Sequence, residues 1–249
     1  MPVSVSLSIA SQIIRVTSLN LCTDEYLLLL ARPYEIASLS RLAGDRLDSV
    51  LWRRANGIAS NSGDLESAIS TRPTIVLTMS GGGKASAEIA SRMGLRSIDL
   101  PTPQSPADVA RNMERVAGLL GHPERARPWL QRFHKLSAAR QAQLDAILLN
   151  QGGYSTGPDT LAGKWMKLAG LRQRPLPGGR ATLEMMAIHP PSVVLLSNYR
   201  RRQASLGQRW LAHPLASPAG SKIVETDGRP WTCAGPIMLD EIDRLRARL

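Results

Sequence analysis

Aromatic residues make up only 4% of the 249-residue chain, with a single Phe. Its core must therefore be built mainly from Leu, Ile, Val and Ala, and little is available on which nucleic-acid bases could stack. There are only two cysteines, Cys22 and Cys233, which cannot make a disulfide framework, and no C-x-x-C or Cys/His cluster points to zinc. The four histidines are isolated; His189 and His213 each precede a proline, which suits turns better than a metal site. No window holds roughly 18 uninterrupted apolar residues, so no transmembrane helix is expected. The opening "MPVSVSLSIASQI" lacks a positively charged segment, and its apolar run is short and broken by serines, whereas a signal peptide needs both features. Either the chain is cytosolic, or its beginning is missing or assigned to the wrong initiator.

Nucleotide-binding signatures are also missing. No G-x-G-x-x-G joins a strand to a helix, and "TIVLTMSGGGKAS" departs from a phosphate loop at two places: Thr78 stands where the first Gly belongs, and Ala85 follows Lys84. A flexible loop at a helix N-terminus is the simpler reading.

What is present is a globular composition, 43% hydrophobic and 20% charged, in a chain long enough for one large domain or two lobes. Lys and Arg number 31 against 20 Asp and Glu, a formal charge of +11. Such a balance fits nucleic acid, anionic lipid or an acidic small ligand. The arginines are scattered, not gathered into one tract, which argues against nucleic acid. The densest runs, "WRRAN" (Trp52–Asn56) and "NYRRRQ" (Asn198–Gln203), read as solvated loop or helix faces.

Short β-branched or Leu-rich runs alternate with amphipathic stretches, the pattern of an α/β layer structure. "RVTSLN" reads as the first strand, with a helix from about Thr23. "EIASLS" is a second strand, "TIVLTMS" a third and "RSIDLP" a fourth. Asp64 caps a helix running to Thr71, and "ASAEIASRMG" is a helix closed by Gly94. From Ser105 to about Leu144 the chain reads as helical, interrupted once at "GHPER". A second α/β unit follows: strand "DAILLNQGG", a helix from Asp159 to Gly170, helix "ATLEMMAIHPP", strand "SVVLLSN", helix "QRWLAHPLASP", strand "SKIVETD" and a terminal helix with Pro236 at its first position. The boundaries are 1–104 for the first lobe, 105–144 for the connection and 145–249 for the second lobe. Glycine-rich polar loops follow the strands, where open α/β sheets bind ligands.

Cys22 falls at a predicted helix N-terminus, where the dipole lowers a thiol pKa, but no histidine nearby suggests a base. "RPWTCAGP" reads as a loop that carries Trp231 and Cys233 after the last strand. The two cysteine segments occupy equivalent places in their lobes and are expected to reach one cleft.

In this order, "RVTSLNLCTDEYLLLL", "GDLESAISTRPTIVLT", "TLEMMAIHPPSVVLLS" and "WTCAGP", with a long helical stretch between the second and third, resemble the substrate-binding proteins of ABC importers for cobalamin, ferric siderophores and haem. The resemblance covers about residues 14–249. It implies two Rossmann-like α/β lobes joined by a single long interdomain helix, modest closure about that helix, and a monomer that binds its ligand without chemistry. It implies neither an intrinsic cofactor nor a protein-held metal. The implied ligand is a cobalamin-like molecule, haem or another ferric chelate. Its lining would come from Asn20, Cys22 and Thr23, Arg41, Ser80, Gly81 and Gly82, Tyr154, Asn198 and Tyr199, and Trp231, Thr232 and Cys233. Aromatic faces and arginines there would suit a flat corrin or porphyrin, or an anionic chelate. Glu66 and Glu184, at equivalent places before a short helix, a proline and a strand, match the glutamates that meet arginines of the membrane permease in that family. The resemblance also implies a periplasmic location. A bridge between Cys22 and Cys233 would pin the cleft, so two free or ligand-facing thiols are the preferred reading and a disulfide the alternative. From another class, a cytosolic α/β enzyme would use Cys22 as a reactive thiol.

Overall fold

A computed structural model describes residues 14–80, 84–139, 142–200 and 203–249. The first lobe runs β1 (Val16–Ser18), α1 (Leu21–Leu30), β2 (Ile36–Ser40), β3 (Ser60–Asn61), α2 (Leu65–Ile69), β4 (Ile75–Met79), α3 (Lys84–Arg92) and β5 (Arg96–Leu100). Its strands form one parallel sheet in the order β3-β2-β1-β4-β5. Every residue of β1, β2 and β4 is buried, as expected of strands covered on both faces; β4 reads as a nearly continuous apolar run, whereas Ser18, Ser38 and Ser40 of β1 and β2 are buried with hydrogen-bond partners.

The connection consists of α4 (Pro106–Leu119) and α5 (Arg127–Ala138). It is not the single long helix that the resemblance implied. Gly121 takes φ +74° just past the end of α4, and the His122 N–H donates to the Ala117 carbonyl at 2.8 Å. Pro123 then starts a separate 3-10 turn. A left-handed glycine followed by proline stops a helix because the next residues can neither keep its dihedrals nor supply its N–H donors. Helix also gives way at Ala138, earlier than the expected Leu144, which begins the next strand.

The second lobe runs β6 (Leu144–Leu149), α6 (Leu161–Leu168), β7 (Leu171–Gln173), α7 (Leu183–Ile188), β8 (Val193–Ser197), α8 (Leu206–Leu211), β9 (Lys222–Thr226), α9 (Gly228–Cys233) and α10 (Met238–Arg246). Its parallel sheet has the order β7-β6-β8-β9. Two short strands, β3 and β7, extend the edges beyond the expected elements. α9 replaces the predicted "RPWTC" loop: Asp227 accepts the Arg229 N–H as its cap, and Ala234, left-handed at φ +46°, ends it. Pro236 lies outside α10, before its cap Ile237. The α6 cap is Thr160, one residue beyond the expected Asp159. Asp64 caps α2 as expected, and Asn20, Ser105, Thr182 and Ser205 likewise each accept a first-turn N–H, at about 1 kcal/mol apiece.

One apolar cluster runs through both lobes and the connection, including Leu27, Leu77, Met113, Leu148, Leu195 and Leu239. Where α5 and α6 meet the α9–α10 turn, Trp129 stacks on Phe133 at 5.4 Å and Trp165 meets Phe133 edge-on at 6.4 Å. The indole N–H of Trp129 donates to the Pro236 carbonyl and that of Trp165 to the Ala234 carbonyl, both at 2.8 Å. Buried indoles require such acceptors, and these two fix the turn against the connection. Among the described residues no helix is long and apolar enough to cross a membrane.

Beside that turn, Cys22 in the first turn of α1 is disulfide-bonded to Cys233 at the end of α9, with the Cα atoms 5.3 Å apart. This corrects the preference for free thiols. The α9–α10 turn sits directly on α1, so close that a Cβ on Gly235 would lie 2.4 Å from Glu25 Oε2. At such a separation the two sulfurs fall within bonding reach. The bond closes a loop across 211 positions of sequence, so a Cys22→Ser/Cys233→Ser variant should lose about 2–4 kcal/mol of stability. Urea unfolding of oxidised protein measures it; an unchanged midpoint would mean that the bond constrains nothing.

Candidate functional site

The β1–α1 turn is held from beneath by a buried polar network. Asn61 Nδ2 donates to the Ser18 carbonyl and to Ser38 Oγ, both at 2.9 Å. Thr23 Oγ1 meets Ser18 Oγ at 2.6 Å, and Asp24 accepts from the Ser40 N–H at 3.1 Å and from Ser40 Oγ at 2.5 Å. These bonds tie the exits of β1, β2 and β3 into one rigid floor. Asp24 is fully buried; burial pushes its carboxyl up to about 7, although hydrogen bonds from Ser18 and Ser40 favour the charged form. Glu25 is held well above the carboxylate range by burial and then by Asp24, against a hydrogen bond from the Ile237 backbone. Its Oε2 has no partner.

Above this floor the strand exits of both sheets face a divided cleft. On the first lobe, Leu19, Asn20, Cys22, Gly63, Thr78, Met79 and Ser80 line a cavity of about 390 Å³. On the second, Asn150, Gln151, Tyr154, Ser197, Tyr199, Arg200 and Gln203 line one of about 500 Å³. A third, of about 610 Å³, lies between the lobes, where Arg46 and Leu47 of the β2–β3 loop meet Asn198, Tyr199, Arg200, Asp227 and Arg229.

Two arginines span the lobes here. Arg200 Nη2 donates to both oxygens of Asp48 at 2.7 and 2.8 Å, and its Nε to Oδ1 at 3.2 Å. The Tyr199 hydroxyl donates to the same Oδ1 at 2.6 Å. Burial raises the Asp48 carboxyl, but Tyr199 and Arg200 outweigh it and hold it below its ordinary value. Burial and the same carboxylate raise the Tyr199 phenol. Arg229 forks onto Asp227 of its own lobe and reaches the carbonyls of Arg46 at 2.9 Å and Ser49 at 3.3 Å. Gly228 permits the close approach of α9 to the loop after β8: a Cβ there would lie 2.4 Å from Tyr199 Cβ.

Of the expected lining residues, Asn20, Cys22 and Ser80 fall on the first cavity, and Tyr154 and Tyr199 on the second. Asn198 lies on the inter-lobe cavity and accepts the Gly228 N–H at 3.2 Å. Ser80 adopts φ +72° and accepts a hydrogen bond from Thr102. Tyr154 is exposed, with the Arg180 guanidinium 5.2 Å from its ring. Thr23 is a correction: it is fully buried, because its hydroxyl belongs to the floor. Trp231 is another, since its indole donates to Thr226 and its ring packs on the core. Arg41 and Thr232 are exposed but line none of the three cavities. Gly81 and Gly82 lie outside the described residues. Cys22 and Cys233 present a disulfide, which removes the nucleophile of the thiol-enzyme reading. Glu66 and Glu184 are exposed in the first turns of α2 and α7, which precede the equivalent strands β4 and β8. Among the described residues no group of three or more His, Cys, Asp or Glu is placed to hold a metal.

The residues not anticipated are Asp48, Arg46, Gln203, Asp227, Arg229 and Arg200. Only Arg200 and Gln203 carried a local signal, the "NYRRRQ" run, and there the solvated-face reading is corrected by the Arg200–Asp48 pair, whose carboxylate side chain is only 5% exposed.

No protein-family model matches the chain, and no curated protein matches its sequence. Solved structures do. The periplasmic haem-binding protein HutB of Vibrio cholerae aligns with a TM-score of 0.71 over 94% of this chain and 98% of its own, at 18% identity. The periplasmic vitamin B12-binding protein BtuF of the same organism aligns at 0.67 over 94% and 95%, with 15% identity. A periplasmic binding protein from Veillonella parvula gives 0.72 over 97% and 92%, with 14% identity. The chain shares their two-lobed α/β fold.

The Asp24 carboxyl makes stability depend on pH with a definite sign. Below about pH 4 it is protonated folded or unfolded; above that the unfolded chain releases a proton that the folded protein holds until about pH 7. Stability therefore falls as pH rises from about 4 to about 7. Asp24→Asn should make this decline shallower, by at most about 1.4 kcal/mol per pH unit. Urea midpoints across that range measure it, and a variant profile parallel to wild type would rule out Asp24 as the source.

Proposed function

We propose that this chain, which has the fold of periplasmic haem-, cobalamin- and iron-binding proteins, is the substrate-binding component of an ABC importer. It takes up a cobalamin-like or ferric-chelate ligand between its lobes in the periplasm and passes it to a membrane permease. The observation that carries this reading is the cleft: the carboxyl ends of two parallel sheets face each other across cavities of about 390 to 610 Å³, the place where such sheets hold ligands. Tyr154 and Tyr199 supply aromatic surface and Arg200 supplies charge on the second-lobe wall; Cys22, one end of the disulfide, forms part of the first-lobe wall.

Titration of purified protein with cyanocobalamin, haem and a panel of ferric siderophores, followed by tryptophan fluorescence and calorimetry, tests the ligand assignment. Saturable binding of one class is expected. Failure of every compound to bind would overturn the assignment and leave the fold untouched.

Glu66 and Glu184 are the proposed permease contacts. Their exposed carboxylates, each in the first turn of the helix before an equivalent strand, suit pairing with arginines on a two-fold partner surface. A Glu66→Lys/Glu184→Lys variant should lower reconstituted transport at least about tenfold while leaving ligand affinity within about twofold, a change too small to register as a lost contact. A matching fall in ligand affinity would assign these residues to the cleft.

A further inference from the structure

Arg200 and Arg229 both reach across the cleft, but with different attachments. The Arg229 guanidinium is neutralised by Asp227 two residues away and touches the opposite lobe only through carbonyls. Arg200 has its carboxylate on the other lobe. Asp48 belongs to the β2–β3 loop, and the loop before it is preset by Asp45, which accepts the Leu47 N–H at its side chain and the Asp48 and Ser49 N–H groups at its carbonyl. Across from it, Arg200 Nε and Nη2 and the Tyr199 hydroxyl converge on one carboxylate. Arg200 holds this aim from a left-handed backbone, φ +49°, a conformation that is unfavourable for a side chain of its size and persists where surrounding structure imposes it.

Three converging donors around a planar carboxylate make a built oxyanion site, and in this state its occupant is the protein's own side chain. We propose that the Arg200–Tyr199 site is a ligand subsite for an oxyanion, a carboxylate or phosphate group, and that Asp48 fills it in the unliganded protein. A ligand that brings its own oxyanion exchanges one charge-assisted fork for another. A neutral ligand of the same shape would have to leave Arg200 on Asp48 or strip it of an anion, and is discriminated against. This deepens the transport reading and rests on it only for the identity of the ligand; the anion site itself can be tested without one.

The test uses full-length protein carrying Asp48→Asn, with Asp48→Ser as a second variant should the first fold poorly. Inorganic phosphate at constant ionic strength is the first probe and the thermal unfolding midpoint the readout. Phosphate should raise the midpoint of the Asp48 variants and leave wild type unmoved, and adding Arg200→Gln should abolish the response. Equal responses in wild type and variants, or none in either variant, would overturn the site. Haem and its dimethyl ester, which lacks free carboxylates, form the second arm. Asp48→Asn should tighten haem at least about tenfold and leave the ester nearly unchanged; equal changes would overturn the competition. If phosphate responds as expected while neither haem compound binds any protein, the oxyanion site stands and haem is removed from the transport reading.

Discussion

The covalent contact between α1 and α9 sets the geometry on which the cleft depends. Cys22 belongs to the first helix and Cys233 to the turn that Trp129 and Trp165 hold against α5 and α6, so the bond anchors the first lobe beside the connection between lobes. A tie at that position limits separation without forbidding rotation. Away from the bond the lobes meet through side chains alone: Arg200 with Asp48, and Arg229 with the Arg46 and Ser49 carbonyls. A cross-lobe disulfide is thus compatible with the proposed ligand exchange, because the covalent and the non-covalent contacts lie at different places in the same cleft.

The polar floor under α1 has a related role. Asp24 and Glu25 place two carboxyls side by side in the core next to the disulfide, and burial raises both, Asp24 to about 7. Apolar residues would pack there more cheaply. What the polar set provides is direction: Asp24 fixes Ser40 at the β2 exit, and Asn61 joins three strand ends. The loops that form the first-lobe wall therefore start from a defined backbone.

Much of the architecture was legible because it rests on local chemistry. Buried parallel strands showed as short β-branched or Leu-rich runs, and two helix starts showed as Asp64 and Ser105. β3 and β7 were not legible, since two or three residues carry no periodicity. Gly228 and Pro230 made α9 look like a loop, and the break between α4 and α5 was legible as "GHPER", although the resemblance implied a single helix. The site was harder. Tyr154, Asn198 and Tyr199 follow from their position after strands, but Asp48 has no local mark at all. Its partner Arg200 was hidden in a run of arginines that resembles any solvated surface. Thr23 looked available because a turn residue usually is, and only the packed neighbours Ser18 and Asn20 show that its hydroxyl faces inward.

The 211-residue span of the disulfide also has a consequence in time. Cys22 is synthesised 211 residues before its partner, with most of the first sheet, the connection and the whole of the second sheet between them. The first lobe must therefore carry Cys22 as an open thiol, half-buried in the first turn of α1, until Cys233 is made. The wall of the cleft that contains this sulfur takes its cross-linked form only once α9 exists, so the first lobe alone cannot complete it.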